Sequence, residues 1–441
     1  MGKGSYSAAV FVIGILTFWT DAVAQAQFTR SCGATSPLSA RTATEDAAPP
    51  EARAWEFKPS LCVAERYDSN VFYSPPQQGL ERDDAVTTVY PSLRITRNGD
   101  YVSGYLDIGG FSETYAYHSS LNYLGTANTL NLNLDKSIKR LLPQATLTVT
   151  DSVRYTPTPP GFLNPAAGTS PSDPTNPQNP FAQGVLAFRT DNLTNTTAVA
   201  SSYAITPMAS LNASYSYSIL RFGGSSRSQF PLLDTTTHTG SVGSKVQLSA
   251  TDAASITLSH SDATFTSSTT PSTTLPSGSF RSNVATIGWT HKLTPYLTAE
   301  MGGGGIVIDP GTTTYAANAS LVLTLPTFVS TLGYSRTAVP SYFGTGVVLV
   351  SDVVALTAIQ KIARQWQLAE SANYAHSSGE SGSTSISFNT YAASIDLHYW
   401  MTEIWSTAVS FDYMNVMQEF QTTSTTFDRF ALTFSVKAVL W

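Results

Sequence analysis

The chain is short of charge. Asp, Glu, Lys and Arg together make up 12% of its 441 residues, against about 25% in soluble globular proteins. Hydrocarbon does not fill the deficit, because hydrophobic residues stand at 42% and the mean hydropathy is −0.04. Beyond the N-terminus the sequence also lacks any run of about 18 apolar residues, which excludes helical membrane spans. It lacks a basic cluster, and its net charge of −6 argues against nucleic acid as a partner. Aromatics are not lacking: Tyr 21, Phe 21 and Trp 7 exclude a disordered chain. Ser and Thr fill about a quarter of the positions. The composition describes a large all-β protein whose strands carry one polar and one apolar face.

Residues 1–26 read as a secretory signal peptide, with Lys3 as the charged start, Ala8 to Trp19 as a short apolar core, and small residues at Ala22-Val23-Ala24 and Ala24-Gln25-Ala26. The core is too short to span a bilayer, and Asp21 ends it. Residues 27–54, rich in Ala, Thr, Ser and Pro, are expected to form an irregular periplasmic segment ahead of a barrel over 55–441.

From Trp55 onward, apolar and polar residues alternate with period two. Leu130-Asn131-Leu132-Asn133-Leu134-Asp135 and Leu211-Asn212-Ala213-Ser214-Tyr215-Ser216 are clear instances, joined by Tyr391 to Tyr399 and Phe430 to Val436. Such segments border an apolar and a polar phase at once. The connections alternate in length. Short turns are expected at Arg97–Asp100, Lys139–Pro143, Thr206-Pro207, Asp252–Ala254, Thr294-Pro295, Pro326-Thr327, Ala363-Arg364 and Met401–Glu403. Longer Gly/Ser/Thr/Pro-rich loops are expected at 73–84, 116–126, 157–190, 223–237, 266–281, 309–313, 338–346, 377–387 and 420–426. This order predicts a transmembrane antiparallel up-and-down β-barrel of about eighteen strands in a Gram-negative outer membrane, with both ends in the periplasm. In lipid every backbone polar group needs a partner, so the sheet has to close. Tyr101, Tyr203, Tyr296, Phe328, Trp366, Trp400 and Trp405 lie near short turns and are expected to form the periplasmic aromatic girdle.

The terminal Trp441 resembles the C-terminal signal by which outer-membrane proteins engage the barrel assembly machinery. It departs from the usual pattern, sharing parity with Lys437 and Ser435 rather than with Phe434 and Leu440, so a bulge precedes it or it turns inward. At the first strand, Tyr67-Asp68-Ser69-Asn70-Val71-Phe72, an acidic loop with Asp83-Asp84, and Val86 to Leu93 are similar to a family of β-barrel porins often associated with exopolysaccharide production or export. The likeness covers roughly residues 60–160. It implies a fold and a compartment, and no catalytic residues or cofactor.

Parity places Arg94, Asp107, Asn131, Asn133, Asp135, Arg154, Lys245, Lys292, Asp396, His398, Asp412, Arg429 and Lys437 on the lumenal face, among Ser, Thr, Asn and Gln. A wall of hydroxyls and amides with interspersed charges suits hydrated neutral solutes such as saccharides, since ion selectivity needs a ring of one sign. The Pro-rich 157–190 loop either folds into the pore, offering Phe162 and Phe181 as stacking faces, or stays outside. Cys32 and Cys62 either form a disulfide that tethers the pre-barrel segment in the barrel or at its mouth, or are an incidental pair. Asp396 and His398, with Ser394 or Ser410 nearby, lack a nucleophile motif, and catalysis is not expected. His238, His260 and His291 are too scattered for a metal site. Asp151 shares parity with Leu147, Val149 and Val153, which a lipid-facing column does not explain. The expected function is a pore for small hydrophilic solutes, with an accessory role in exopolysaccharide export and a closed surface-binding barrel as the alternatives.

Overall fold

The computed structural model describes residues 54–76, 81–157, 191–223, 233–267, 278–309, 312–340, 348–381, 384–420 and 423–440. The segments 1–26 and 27–53, most of the 157–190 loop with Phe162 and Phe181, and Cys32 and Trp441 lie outside these residues.

Eighteen strands form one sheet. They are β1 (Trp55–Asp68), β2 (Asp84–Asn98), β3 (Ser103–Tyr115), β4 (Tyr123–Asn133), β5 (Ala145–Thr156), β6 (Asn192–Thr206), β7 (Ala209–Phe222), β8 (Leu233–Gln247) and β9 (Asp252–Ser267), followed by β10 (Gly278–Lys292), β11 (Leu297–Asp309), β12 (Thr312–Thr324), β13 (Phe328–Pro340), β14 (Val348–Ala363), β15 (Trp366–Ser381), β16 (Thr384–Trp400), β17 (Trp405–Phe420) and β18 (Thr423–Val439). Each pairs antiparallel with its sequence neighbours, and β1 closes the ring by pairing with both β2 and β18. Closure leaves no exposed edge, the condition for a sheet in hydrocarbon. Among the described residues no helix is long and apolar enough to cross a membrane, so the crossing falls to strands.

The alternation in sequence becomes an inner and an outer face. Outward on β1 stand Trp55, Phe57, Leu61, Val63 and Tyr67, and on β18 Phe430, Leu432 and Phe434, with Leu440 just past its end, all exposed. Large exposed apolar side chains around a closed wall are what a lipid-facing band requires. At the short-turn end the band is edged by Trp55, Tyr101, Tyr203, Tyr296 and Trp405, and by Trp366 stacked on Tyr399 with centroids 4.4 Å apart. At the other end Tyr374 and Tyr391 meet at 5.0 Å, and Tyr67 and Phe430 at 5.7 Å. Beyond that external girdle the outward side chains turn polar, as where Arg336 pairs with Asp352 at 2.6 Å.

Several expectations need correcting. The loops expected at 377–387 and 420–426 are mostly strand, because β15 runs to Ser381, β16 starts at Thr384, β17 runs to Phe420 and β18 starts at Thr423. A bilayer needs only about 9–11 residues per strand, and these strands of 16 or 17 residues rise above it. The turn expected at Asp252–Ala254 lies just before Asp252, where β9 starts. Trp400 is not a girdle residue: it is 4% exposed, points inward and stacks on His398 at 5.9 Å. Asp135 is not on a strand. It opens a helical turn, α1 (Asp135–Ile138), and its carboxylate accepts the Leu147 amide at 2.8 Å.

Acidic residues also stand on the outer face within the apolar band. Glu65, between the outward Val63 and Tyr67, accepts Thr87 Oγ1 at 2.9 Å. Asp151 accepts Thr197 Oγ1 at 2.6 Å and Asn195 Nδ2 at 3.1 Å. Glu370 of β15, opposite Ile395 of β16, is exposed.

Candidate functional site

The cross-strand register fixes which side chains share the lumen. Cys62 stands opposite Tyr90 on one side and Lys437 on the other, so these three point inward together. Following the pairs round the ring brings Arg94 opposite Asp107, and Ala127 opposite Arg154, onto the same face. Asn131 and Asn133 of β4, Lys245 of β8, Lys292 of β10, Asp396 and His398 of β16, Asp412 of β17 and Arg429 of β18 also occupy inward positions.

They do not gather in one place. Arg94 donates from Nε and Nη2 to both oxygens of Asp107, at 2.7 and 2.6 Å. Lys245 and Lys292 stand on the opposite wall with no ion pair among the described residues, Lys292 exposed at the periplasmic end. Asp396, His398 and Asp412 are buried. Ser410 faces Asp396 across the β16–β17 ladder, and Ser394 is bonded to Ser371 at 2.8 Å. Among the described residues no group of three or more His, Cys, Asp or Glu is placed to hold a metal ion.

The most constrained part of the lumen is where the first external loop meets the last strand. Asp68, 1% exposed, receives Arg429 Nε at 2.9 Å and Nη2 at 2.6 Å, while Arg66 Nε lies 3.5 Å away. Arg66 in turn grips Glu113 with both terminal nitrogens at 3.2 Å, and the Tyr115 hydroxyl donates to Glu113 at 2.8 Å. Next in sequence, Asn70 is wholly buried. Its amide donates to the carbonyls of Ser74 and Asp428, at 2.9 and 3.1 Å, and its oxygen accepts the Ser74 amide at 3.2 Å. These bonds turn the chain inward. Val71 packs with Val86 and Tyr115, and Tyr73 enters an apolar cluster with Val353, Ala375, Ala392, Met414, Val416 and Phe427 on the inner wall of β14–β18. Tyr73 has φ 54°, a left-handed conformation that costs a non-glycine residue about 1–3 kcal/mol. The Arg429 guanidinium lies 5.1 Å from its ring. A short loop is thus held in a strained conformation by charged, buried bonds across the barrel seam.

Below this clasp two rings lie flat on the wall. Any side chain at Gly109 would collide with the Tyr90 ring, and any at Gly125 with Phe111, so glycine there is a packing requirement. Tyr90, Phe111, Cys62 and Ala64 form a buried inner cluster, and Cys62 is disulfide-bonded. Toward the external mouth of β8–β12 a second inner cluster holds Leu233, Phe265, Phe280, Ile306 and Ile308.

The remaining wall is hydroxylic. On β7–β9, Ser214 pairs with Ser241 at 2.7 Å and Thr239 with Ser261 at 3.1 Å, with Thr257 and Ser259 beside them. Asn212 and Ser214 are exposed there. Such a surface accepts and donates hydrogen bonds without a fixed sign of charge.

A closed antiparallel barrel with an apolar band between two aromatic girdles has one environment that satisfies it. The chain is an outer-membrane barrel. No protein-family model matches it, and no curated protein does. Among solved structures it is similar to the siderophore receptor PirA from Acinetobacter baumannii, at 9% identity and TM-score 0.43 over 87% of this chain and 80% of that one. It is also similar to OccK5 (OpdH) from Pseudomonas aeruginosa, at 12% identity and TM-score 0.42 over 88% and 99%. OpdK from the same organism gives 12% and 0.43 over 87% and 99%. Values this low say nothing of solute or partner.

Sequence reasoning missed the clasp. Asp68-Ser69-Asn70 stood out, and Arg429 was placed on the lumenal face, but the two are 361 positions apart and nothing local in the sequence joins them.

Proposed function

We propose that the chain is an outer-membrane pore for small hydrophilic solutes, saccharides in particular, narrowed at its external end by the inward-folded first loop. The observation that carries this reading is the hydroxyl wall of β6–β9, whose one formal charge among inward strand positions is Lys245. A lumen wetted by Ser and Thr exchanges hydrogen bonds with sugar hydroxyls as readily as with water, whereas strong ion selectivity calls for a ring of one sign. Proteoliposomes containing the protein should swell in isosmotic mono- and disaccharide solutions, at rates that fall with solute size. No swelling, together with no conductance in planar bilayers, refutes the pore in favour of a closed barrel.

Cys32 is the only cysteine besides Cys62, and we infer that the two are bonded, tying the pre-barrel segment to the lumenal wall. A non-reducing peptide map showing any other partner for Cys62 rejects this. The resemblance at Asp68-Ser69-Asn70 supports an accessory role in exopolysaccharide export as a second reading. A deletion strain with unchanged surface polysaccharide excludes it. The outward row Phe430, Leu432 and Phe434 of the last strand, continued by Leu440 just past it, supports recognition by the barrel assembly machinery.

A further inference from the structure

Two stretches of the inner wall carry side chains of the same size and differ in what lies over them. On β6 and β7, Ala200 stands opposite Ser214, and both are exposed to the lumen. On the other side of the ring, Ala64 of β1, Ser435 of β18 and Ala408 of β17 stand side by side in one register row. All three are buried, with Ser435 1% and Ala408 2% exposed. A methyl or hydroxymethyl group is too short to hide itself on the concave wall of a barrel this wide, which leaves an aqueous channel unless something fills it. The long side chains around the row lean away from it. Arg66 reaches Glu113, His398 stacks on Trp400, and Lys437 stands within electrostatic reach of Arg94 and Asp107. The first external loop packs nearer the outer mouth, where Tyr73 meets Met414 and Phe427.

The disulfide points to the cover. Cys62 adjoins Ala64 on the inward face of β1 and is bonded. A disulfide holds its two Cα atoms about 4.4–6.8 Å apart, so Cys32 as the partner has to enter the lumen. Cys62 stands seven positions above Trp55 at the periplasmic end of β1, about 23 Å along the strand at about 3.3 Å per residue. The 21 residues 33–53 that join Cys32 to the barrel can reach about 70 Å when extended. That is about three times the path, which leaves chain to lie over neighbouring strands. The segment is slightly acidic, with Glu45, Asp46 and Glu51 against Arg41 and Arg53. Among the described residues, Lys437, opposite Cys62 on the β1–β18 ladder, and Arg154, with a buried Nε that no acceptor meets, make no ion pair.

We propose that residues 33–53 fill this side of the lumen, held by the Cys32–Cys62 bond and lying on the Ala64–Ser435–Ala408 row, with their carboxylates toward Lys437 and Arg154. The open passage then follows the hydroxyl wall of β6–β9, where Ala200 and Ser214 stay exposed. This deepens the pore reading and rests on it and on the disulfide: a solute meets hydroxyls because the charged seam side is covered.

In the full chain folded in detergent, an Ala408→Cys thiol should react with a maleimide about tenfold slower than an Ala200→Cys thiol. Trypsin, too large to enter the lumen, should leave the bond after Arg41 intact until heat unfolds the barrel. Deleting residues 27–53 together with Cys62→Ser should bring the two labelling rates together and raise unit conductance in planar bilayers. Equal labelling in the full chain overturns the proposal, as does cleavage after Arg41 in the folded barrel. So does a deletion barrel of heat-modifiable mobility that still shields Ala408→Cys, or that keeps the unit conductance of a conducting full chain. If the deletion does not fold, the two full-chain measurements decide. If neither barrel conducts, the pore is refuted, while the labelling rates test the cover by themselves.

Discussion

Replacing Asp68 by Ala tests the external clasp at its centre. The side chains of Asp68 and Arg429 are 1% and 4% exposed and joined by two short bonds, so solvent does little to soften the loss. Removing one partner of a buried pair costs about 3–5 kcal/mol, because the remaining charge stays desolvated. Arg66, 3.5 Å from Asp68, loses a neighbour as well. At 1.36 kcal/mol per tenfold, the equilibrium between the inserted and released loop should move by about two to nearly four powers of ten. Release also relieves the strain at Tyr73, a contribution common to wild type and variant. In planar bilayers the Asp68→Ala channel should show larger unit conductance, or longer open times, than the wild type. The apolar double variant Asp68→Leu/Arg429→Met should return toward wild-type behaviour, since an ion pair exchanged for well-packed apolar groups is close to neutral. Heat-modifiable mobility must be retained in both. A folded Asp68→Ala barrel with wild-type conductance and open times would refute the assignment of the clasp.

Two further outcomes follow from the wall. Glu370→Leu removes a lipid-facing carboxylate and should stabilise the barrel by about 1–2 kcal/mol in urea unfolding from liposomes, since acidic residues cost less there than Lys or Arg; an unchanged midpoint contradicts the placement of β15. Gly109→Val should displace the Tyr90 ring and cost about 1–3 kcal/mol, and Tyr90→Ala should recover most of it; a loss that persists in the double variant assigns the glycine a backbone role instead.

The lipid made the fold legible. One solvent surrounds every strand, so the period-two pattern that predicts β16 from Tyr391 to Tyr399 also predicts β18 from Phe430 onward. The failures have local causes. At 377–387 and 420–426, Ser and Thr have the composition of a loop, yet the same residues wet the polar face of a strand, and composition cannot separate the two uses. Trp400 sits near a turn, as girdle residues do, but its parity opposes Tyr391 and Tyr399, so the signal was present and outweighed by position. Asp135 continues an alternation that stops at Asn133, where the backbone turns helical. Asp151 was legible as an exception, and its partners on β6 became visible only once β5 and β6 were in register across a long connection.

The seam between β1 and β18 sets the order of assembly. Asp68, near the start of the barrel, finds its partner 361 residues later, and the nine-pair ladder from Ser60–Val439 to Asp68–Ala431 cannot form until the last strand has arrived. Until then β1 offers its free edge, and a buried carboxylate without its arginine, to whatever holds the growing sheet. Closing the seam satisfies the edge and the charge in one event, so an unmatched Asp68 marks an unfinished barrel and its pairing with Arg429 marks a completed one.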